Sequence, residues 1–240
     1  MNCPLFYFWK VLLWRNTLIF LLLVVAPAWA RSVDYEHRTL SRVLVHVVTV
    51  NLNDPQVKVT PFVAAGFPGT DEDFAALIAR AQPTAAINGT FFGKQDLKPT
   101  GDIVIDGKLV NFGGMGTALA IDADNRVTFR RVPYGRHVDW AAKGYVSVLA
   151  CGPSLILAGQ VGVDPELEGF SDPHVLEAGP RSAVGITAYN KLKLVCVPAG
   201  VTLSRLASIM EQLGCVSAMN LDGGASTALY YRGKTIVAPG

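Results

Sequence analysis

Charge is scarce and balanced in this chain. Only 17% of its 240 residues are charged, 21 basic against 19 acidic. The segment 1–30 holds Lys10, Arg15 and no acid, so residues 31–240 carry 19 charges of each sign. A neutral surface with scattered charges excludes the electrostatic footprint of a nucleic-acid binder or of a protein held on acidic lipid. Histidine is equally sparse, with four in the chain. His46, His137 and His174 are isolated, so the His/Asp cluster that a two-metal phosphodiesterase uses is missing. His46 sits in an apolar strand and reads as a satisfied interior histidine, while His174 precedes an arginine and is the one worth testing. The four cysteines form no CxxC and have no zinc spacing, which excludes a structural zinc site. There is no internal repeat or low-complexity stretch.

Only one apolar run is long enough to draw attention. It extends from Thr17 to Ala26, follows Lys10 and Arg15, and is succeeded by Ala28-Trp29-Ala30, small residues at the two positions signal peptidase reads. It is shorter than the ~20 residues a bilayer-spanning helix needs. Residues 1–30 therefore read as a signal peptide cleaved after Ala30, and residues 31–240 as a single periplasmic or secreted domain with no stable membrane span. Cys3 leaves with the leader. Of Cys151, Cys196 and Cys215, an oxidising compartment permits one disulfide, with Cys196–Cys215 the favoured pair; the blander reading is three buried thiols acting as small hydrophobes.

The rest reads mostly as hairpins. Arg42 to Leu52 alternates as a strand, and Val57 to Ala64 reads as a second one after the turn Asp54-Pro55. Thr84 to Ile87 is a short buried strand. Two-residue turns at Asp106-Gly107, Ala158-Gly159, Tyr189-Asn190 and Arg232-Gly233 each separate two apolar runs, as does Asp122-Ala123-Asp124-Asn125. Helical spacing appears twice. One helix carries Phe74, Leu77, Ile78 and Ala81, with Thr70 as cap and Pro83 as stop. The other carries Leu203, Leu206, Ile209, Met210 and Leu213, capped by Thr202 and closed by Gly214. Many hairpins with two helices predict an α+β fold of mixed sheets packed with a few helices. The acidic, proline-rich stretch from Gly162 to Pro180 fits neither period and reads as a lid or binding loop.

Three polar clusters interrupt apolar segments: Ile87-Asn88-Gly89-Thr90-Phe91-Phe92, Pro180-Arg181-Ser182-Ala183-Val184-Gly185 and Met219-Asn220-Leu221-Asp222-Gly223-Gly224-Ala225-Ser226-Thr227. Asn220 and Asp222 lie two apart, so on a strand they share a face. Gly223-Gly224 lets a ligand approach the main chain. Carboxylate, amides, hydroxyls and exposed N–H groups suit a sugar or a phosphate ester, although Asp-Gly-Gly is also ordinary turn chemistry.

These clusters, together with Cys151-Gly152-Pro153-Ser154-Leu155, resemble the phosphodiester glycosidase family in the same order, over most of the chain from about Val43 onward. Thr90 stands where the family often has a second glycine, and Ala225 where it often has a third. Relatives usually continue into one more strand past the position of Gly240, which implies a different C-terminal edge here. The resemblance implies an exported hydrolase that cleaves a sugar from a glycosyl phosphodiester of envelope or extracellular glycan. It implies Asp222 as nucleophile or base, Arg181 as a bidentate phosphate clamp, and Asn88 and Asn220 holding sugar hydroxyls or phosphate oxygens. Gly89, Thr90, Gly223, Gly224, Ser226 and Thr227 would line the substrate.

A second carboxylate is not evident. Asp102 and Glu177 are candidates, and each reads better as solvated. Asp222 with Asn88 and Asn220 offers oxygen ligands of the kind calcium takes, though with a low charge count. The alternative from another class is a non-catalytic accessory protein that binds or helps process envelope polysaccharide.

Overall fold

Tight turns build most of the molecule, which is a computed structural model describing residues 31–240. The expected signal peptide, residues 1–30, lies outside the described residues. At Ser41-Arg42, Asp106-Gly107, Ala158-Gly159 and Arg232-Gly233 both turn residues have positive φ. That geometry matches the right-handed twist of the strands it joins. The first of these turns connects β1 (Val33–Leu40) to β2 (Val43–Asn51). After α1 (Phe74–Ala81) come β3 (Ala85–Ile87), the hairpin β4 (Ile103–Ile105) and β5 (Lys108–Asn111), and the hairpin β6 (Thr117–Asp122) and β7 (Val127–Arg131). Then follow β8 (Tyr145–Cys151), β9 (Ser154–Leu157), β10 (Gln160–Val161) and the single turn α2 (Pro173–Leu176). The long hairpin β11 (Gly179–Thr187) and β12 (Lys191–Val201) leads into α3 (Leu203–Gln212), β13 (Cys215–Asn220) and the last hairpin, β14 (Leu229–Tyr231) and β15 (Lys234–Val237).

Three antiparallel sheets result. Seven strands run in the order β1-β2-β12-β11-β13-β9-β10, five in the order β5-β4-β8-β6-β7, and three in the order β15-β14-β3. One face of the large sheet is covered by α3, whose Leu203, Leu206, Ile209 and Met210 pack on Val45, Val47, Leu155 and Ala218. The opposite face, with Val48, Val184, Leu192 and Leu194, meets Leu119 and Ile121 of the five-stranded sheet and Leu229 of the small one. The fold is thus α+β and hairpin-rich, as expected. The functional segments emerge where these layers meet.

Three local expectations need correction. Val57 to Ala64 is not a strand. β2 pairs with β1 on one edge and β12 on the other, so no ladder remains for a following segment to join. The cap of α1 is Asp73, not Thr70; its Oδ1 accepts from the N–H groups of Ala75 at 2.8 Å and Ala76 at 3.3 Å. The stretch from Gly162 to Pro180 is pinned. Phe170 and Val175 join the core beneath α3, and Glu168 is buried. The Glu168 carboxylate accepts from Thr117 Oγ1 at 2.7 Å, from the Ser154 N–H at 2.9 Å and from the Ser154 hydroxyl. The second helix has the expected cap, with Thr202 Oγ1 accepting from Arg205 N, and Gly214 has a φ of +79°.

No disulfide joins Cys196 to Cys215. Cys196 on β12 lies opposite Ser182, and Cys215 on β13 lies opposite Thr187, so β11 runs between them. All three described cysteines are free and buried.

Candidate active site

Strand ends converge to make the site. β13 stops at Asn220, so Asn220 and Asp222 do not share a strand face as the spacing suggested. The chain then breaks away: Leu221 donates its N–H to Ser182 O at 2.9 Å, and Asp222 donates its own to Gly89 O at 3.0 Å. The loop after β3, the start of β11 and the exit of β13 are thereby joined through the main chain.

Asn88 locks that junction. Its Nδ2 donates to Asp222 O at 2.7 Å, and its Oδ1 accepts from Ser182 Oγ at 2.6 Å and from the Ala228 N–H at 3.1 Å. Both ends of the amide are engaged by protein, so Asn88 positions the Asp222 turn. Asn220 is fully buried behind it and donates to Gly152 O at 3.2 Å, while its Oδ1 has no partner among the described residues. Thr90 Oγ1 and Thr227 Oγ1 are likewise buried and unpartnered. Buried polar atoms are normally satisfied, so three orphans in segments flanking one turn mark a site for solvent or ligand.

Asp222 is half-buried. Burial raises its pKa above the ordinary carboxylate value, against the opposing pull of the Ser226 hydroxyl and the Gly223 N–H, which donates to Oδ1 at 2.8 Å. Gly223 is glycine of necessity. A Cβ there would stand 2.7 Å from Pro180 O, with Arg181 Cδ at 3.7 Å and Nη1 at 3.8 Å. Arg181 thus lies directly behind the Asp222-Gly223 turn.

The guanidinium of Arg181, expected as a bidentate phosphate clamp, is tied to the main chain through Nε and Nη2. Arg181 is 2% exposed. Its Nε donates to Val201 O at 3.2 Å, and its Nη2 donates to Val175 O at 3.0 Å and to Glu177 O. Among the described residues it has no acidic partner, and burial lowers its pKa from the usual arginine value.

Asn88, Gly89, Thr90, Asp222 and Ser226 line one cavity of about 490 Å³ between the two large sheets. Gly224 and Thr227 line a neighbouring depression with Pro180 and Pro198. Asp102, read as solvated, is fully buried instead and accepts from the N–H groups of Gly113 at 2.8 Å and Gly114 at 2.9 Å and from Trp140 Nε1 at 2.8 Å. It is a structural anchor. Glu177 is exposed, and exposed His174 bonds Asp172 at 2.9 Å. His46 is held by the Tyr35 hydroxyl at 2.8 Å. Among the described residues no three His, Cys, Asp or Glu side chains group to hold a metal ion. Of the oxygens considered for calcium, Asn88 Oδ1 already accepts two hydrogen bonds. Sequence reasoning gave no part to Ser182, the third leg of the Asn88 junction. Its signal was only its place beside Arg181.

The class the structure defines is an α+β protein with a half-buried carboxylate on a Gly-Gly turn at the polar end of a cavity. A family model described as phosphodiester glycosidase matches residues 81–240. The chain belongs to that family. Among solved structures it is similar to a hypothetical protein from Synechocystis, at 18% identity and a TM-score of 0.76, covering 88% of this chain and 60% of that one. It is also similar to the catalytic domain of zebrafish N-acetylglucosamine-1-phosphodiester alpha-N-acetylglucosaminidase, auto-inhibited by its pro-peptide. There the identity is 21% and the TM-score 0.68, over 86% of this chain and 75% of that one. At these identities the likeness is one of fold. The chain thus spans 60% of the length of the first of these relatives. No curated protein matches. No helix among the described residues is long and apolar enough to cross a membrane.

Proposed function

We propose that the chain is an exported hydrolase that releases a sugar from a glycosyl phosphodiester by breaking the bond between the anomeric carbon and the phosphate oxygen. The observation that carries this reading is a half-buried carboxylate on one side of Gly223 and, on the other, a buried guanidinium with no acidic partner among the described residues. A buried cation without a counter-charge is costly unless an anion joins it. The family to which the chain belongs supports the reaction class, and Lys10, Arg15, the apolar run from Thr17 to Ala26 and Ala28-Trp29-Ala30 support export.

In this reading water adds to the anomeric carbon and passes its proton to Asp222, while the C–O bond breaks and a phosphate monoester leaves as the anion. The raised pKa of Asp222 makes its ionised form a stronger base than a solvated aspartate. Phosphate leaves readily, so a strong general acid is unnecessary. Arg181 acts from behind Gly223 as a fixed positive charge that favours the departing phosphate, in place of a direct clamp. Asn88 holds the turn, and Asn220 offers its unpartnered Oδ1 from behind it. The main chain at Gly89, Gly223 and Gly224, with the hydroxyls of Thr90, Ser226 and Thr227, contacts the ligand.

The test is a panel of sugar-1-phosphodiesters incubated in ¹⁸O-labelled water, with and without EDTA. Label should enter the sugar, and Asp222→Asn should lower turnover at least ~10²-fold while keeping the fold. Label in the phosphate would mean P–O cleavage and overturn the reading. A polysaccharide-binding module would bind ligand equally well as wild type and as Asp222→Asn, with no turnover in either.

A further inference from the structure

The cavity that ends at Asp222 is apolar almost everywhere else. Its floor is the seam between the large and five-stranded sheets, where Leu149 is partly exposed beside Leu119 and Leu194, with Val184, Leu192 and Ile121 packed beneath. Its outer wall is the irregular segment before α1 together with α1 itself, contributing Phe62, Val63, Phe67 and Leu77. The charged residues lining it are Asp71, Glu72 and Asp222, and Glu72 is bonded to Arg80 at 2.5 Å. Beyond the Asp222 end the walls are thus mostly hydrocarbon, with little that could bond sugar hydroxyls, whose burial without partners is costly. The cavity is open to solvent along one side, so a hydrocarbon entering its volume of about 490 Å³ would take apolar surface out of water and gain dispersion contacts. The cavity reaches solvent near Phe62 and Phe92, which are 44% and 46% exposed. Its outer wall, from Val59 to Leu77, precedes residue 81, where the family match begins.

We propose that this cavity binds a hydrocarbon chain attached to the phosphate, so that the substrate is an amphiphilic glycosyl phosphodiester whose sugar lies at Asp222 and whose lipid-like aglycone runs between the sheets. This rests on the hydrolase reading for its orientation, while chain binding itself does not. The shared chemistry is an alkyl chain on phosphate, from a straight acyl-type or a branched prenyl-type lipid.

Sugar-1-phosphodiesters bearing methyl, decyl and geranyl aglycones, kept below micelle-forming concentration, separate these cases. Full burial of a methylene favours binding about fourfold. A far weaker dependence, at least about 30-fold in kcat/KM from methyl to decyl, is already expected to be visible. The decyl-to-geranyl ratio tells straight from branched. Decyl phosphate binding, measured by calorimetry, gives a readout without turnover. Val63→Asp and Leu77→Trp, which alter only the outer wall, should remove the chain-length gain and weaken decyl phosphate at least tenfold, leaving the methyl substrate unchanged. If decyl phosphate binds in a wall-dependent way and no diester is cleaved, the hydrolase reading fails and the cavity assignment stands. If methyl and decyl substrates are cleaved equally and the wall variants change nothing, the cavity assignment is overturned and the hydrolase reading stands. Absence of both binding and cleavage overturns both.

Discussion

Asp222 is a carboxylate whose ionisation the folded state resists. Burial raises its pKa, so the proton-bound form is favoured by folding. The stability contributed by that proton is present below the unfolded pKa and is lost as pH rises through the folded one. Asn does not titrate and keeps the acceptor for the Gly223 N–H. Asp222→Asn is therefore expected to be at least as stable as wild type at neutral pH, with its advantage disappearing in acid; thermal melts across pH check this. The Ser226 hydroxyl pulls the other way by bonding the ionised form. Ser226→Ala should move the acidic limb of the kcat/KM profile to higher pH, and a shift to lower pH would contradict the assignment. Asn88→Ala would strip partners from Ser182 Oγ, the Ala228 N–H and Asp222 O together. Leaving such a group unpaired costs about 1–3 kcal/mol where solvent cannot enter; these groups are part-buried and Ser182 Oγ keeps Cys196 Sγ at 3.4 Å, so denaturant titration should show a loss of about 2–4 kcal/mol, below the full sum for three. All of these residues were visible as polar interruptions in apolar sequence. That Asn88 bonds three protein groups was not, because its partners lie at Ser182, Asp222 and Ala228, far along the chain.

Among the elements, the Asp222-Gly223-Gly224 turn is the one the site depends on. Gly224 has a φ of +60°, and Gly223 has Pro180 O where a Cβ would sit. Gly223→Ala should push the turn away from β11, reducing activity at least tenfold, since a displacement of about 1 Å at a reacting group costs on that order or more. Gly233→Ala, with nothing near its Cβ, is the control; it strains the last hairpin but should leave Asp222 in place. The hairpins at Asp106-Gly107, Ala158-Gly159 and Arg232-Gly233 were legible because a turn that needs positive φ announces itself through Gly, whereas Ser41-Arg42 carries no such residue and β1 before it went unread. The extended segment from Val57 was misread because alternation reports a pleated surface, whereas a strand also needs a free edge to pair with. The Gly162–Pro180 stretch was misread for the opposite reason. Its prolines and acids look solvated, yet Glu168 finds hydroxyl and N–H donors that only the folded chain assembles.

For the molecule as a whole, the three described cysteines are held apart in the core. Burial pushes the thiols of Cys151, Cys196 and Cys215 each up to about 12. Since the thiolate is the reactive form, none should react with a disulfide reagent in the native state, and all three should react on unfolding in denaturant. Mass spectrometry after native labelling at neutral pH checks this, and a native Cys196–Cys215 bridge would contradict the strand order.

What the sequence determined by itself is local. Turn residues at short spacing, two helical stripes, the α+β class and the order of the polar clusters all follow from residues within a few positions of one another. The three-sheet arrangement, the burial of Arg181 behind Gly223, the engagement of both ends of Asn88 and the apolar cavity between sheets were decided by tertiary structure. Each depends on which strand edges are left to pair and which layers then face each other, and those are relations between segments that no local pattern records.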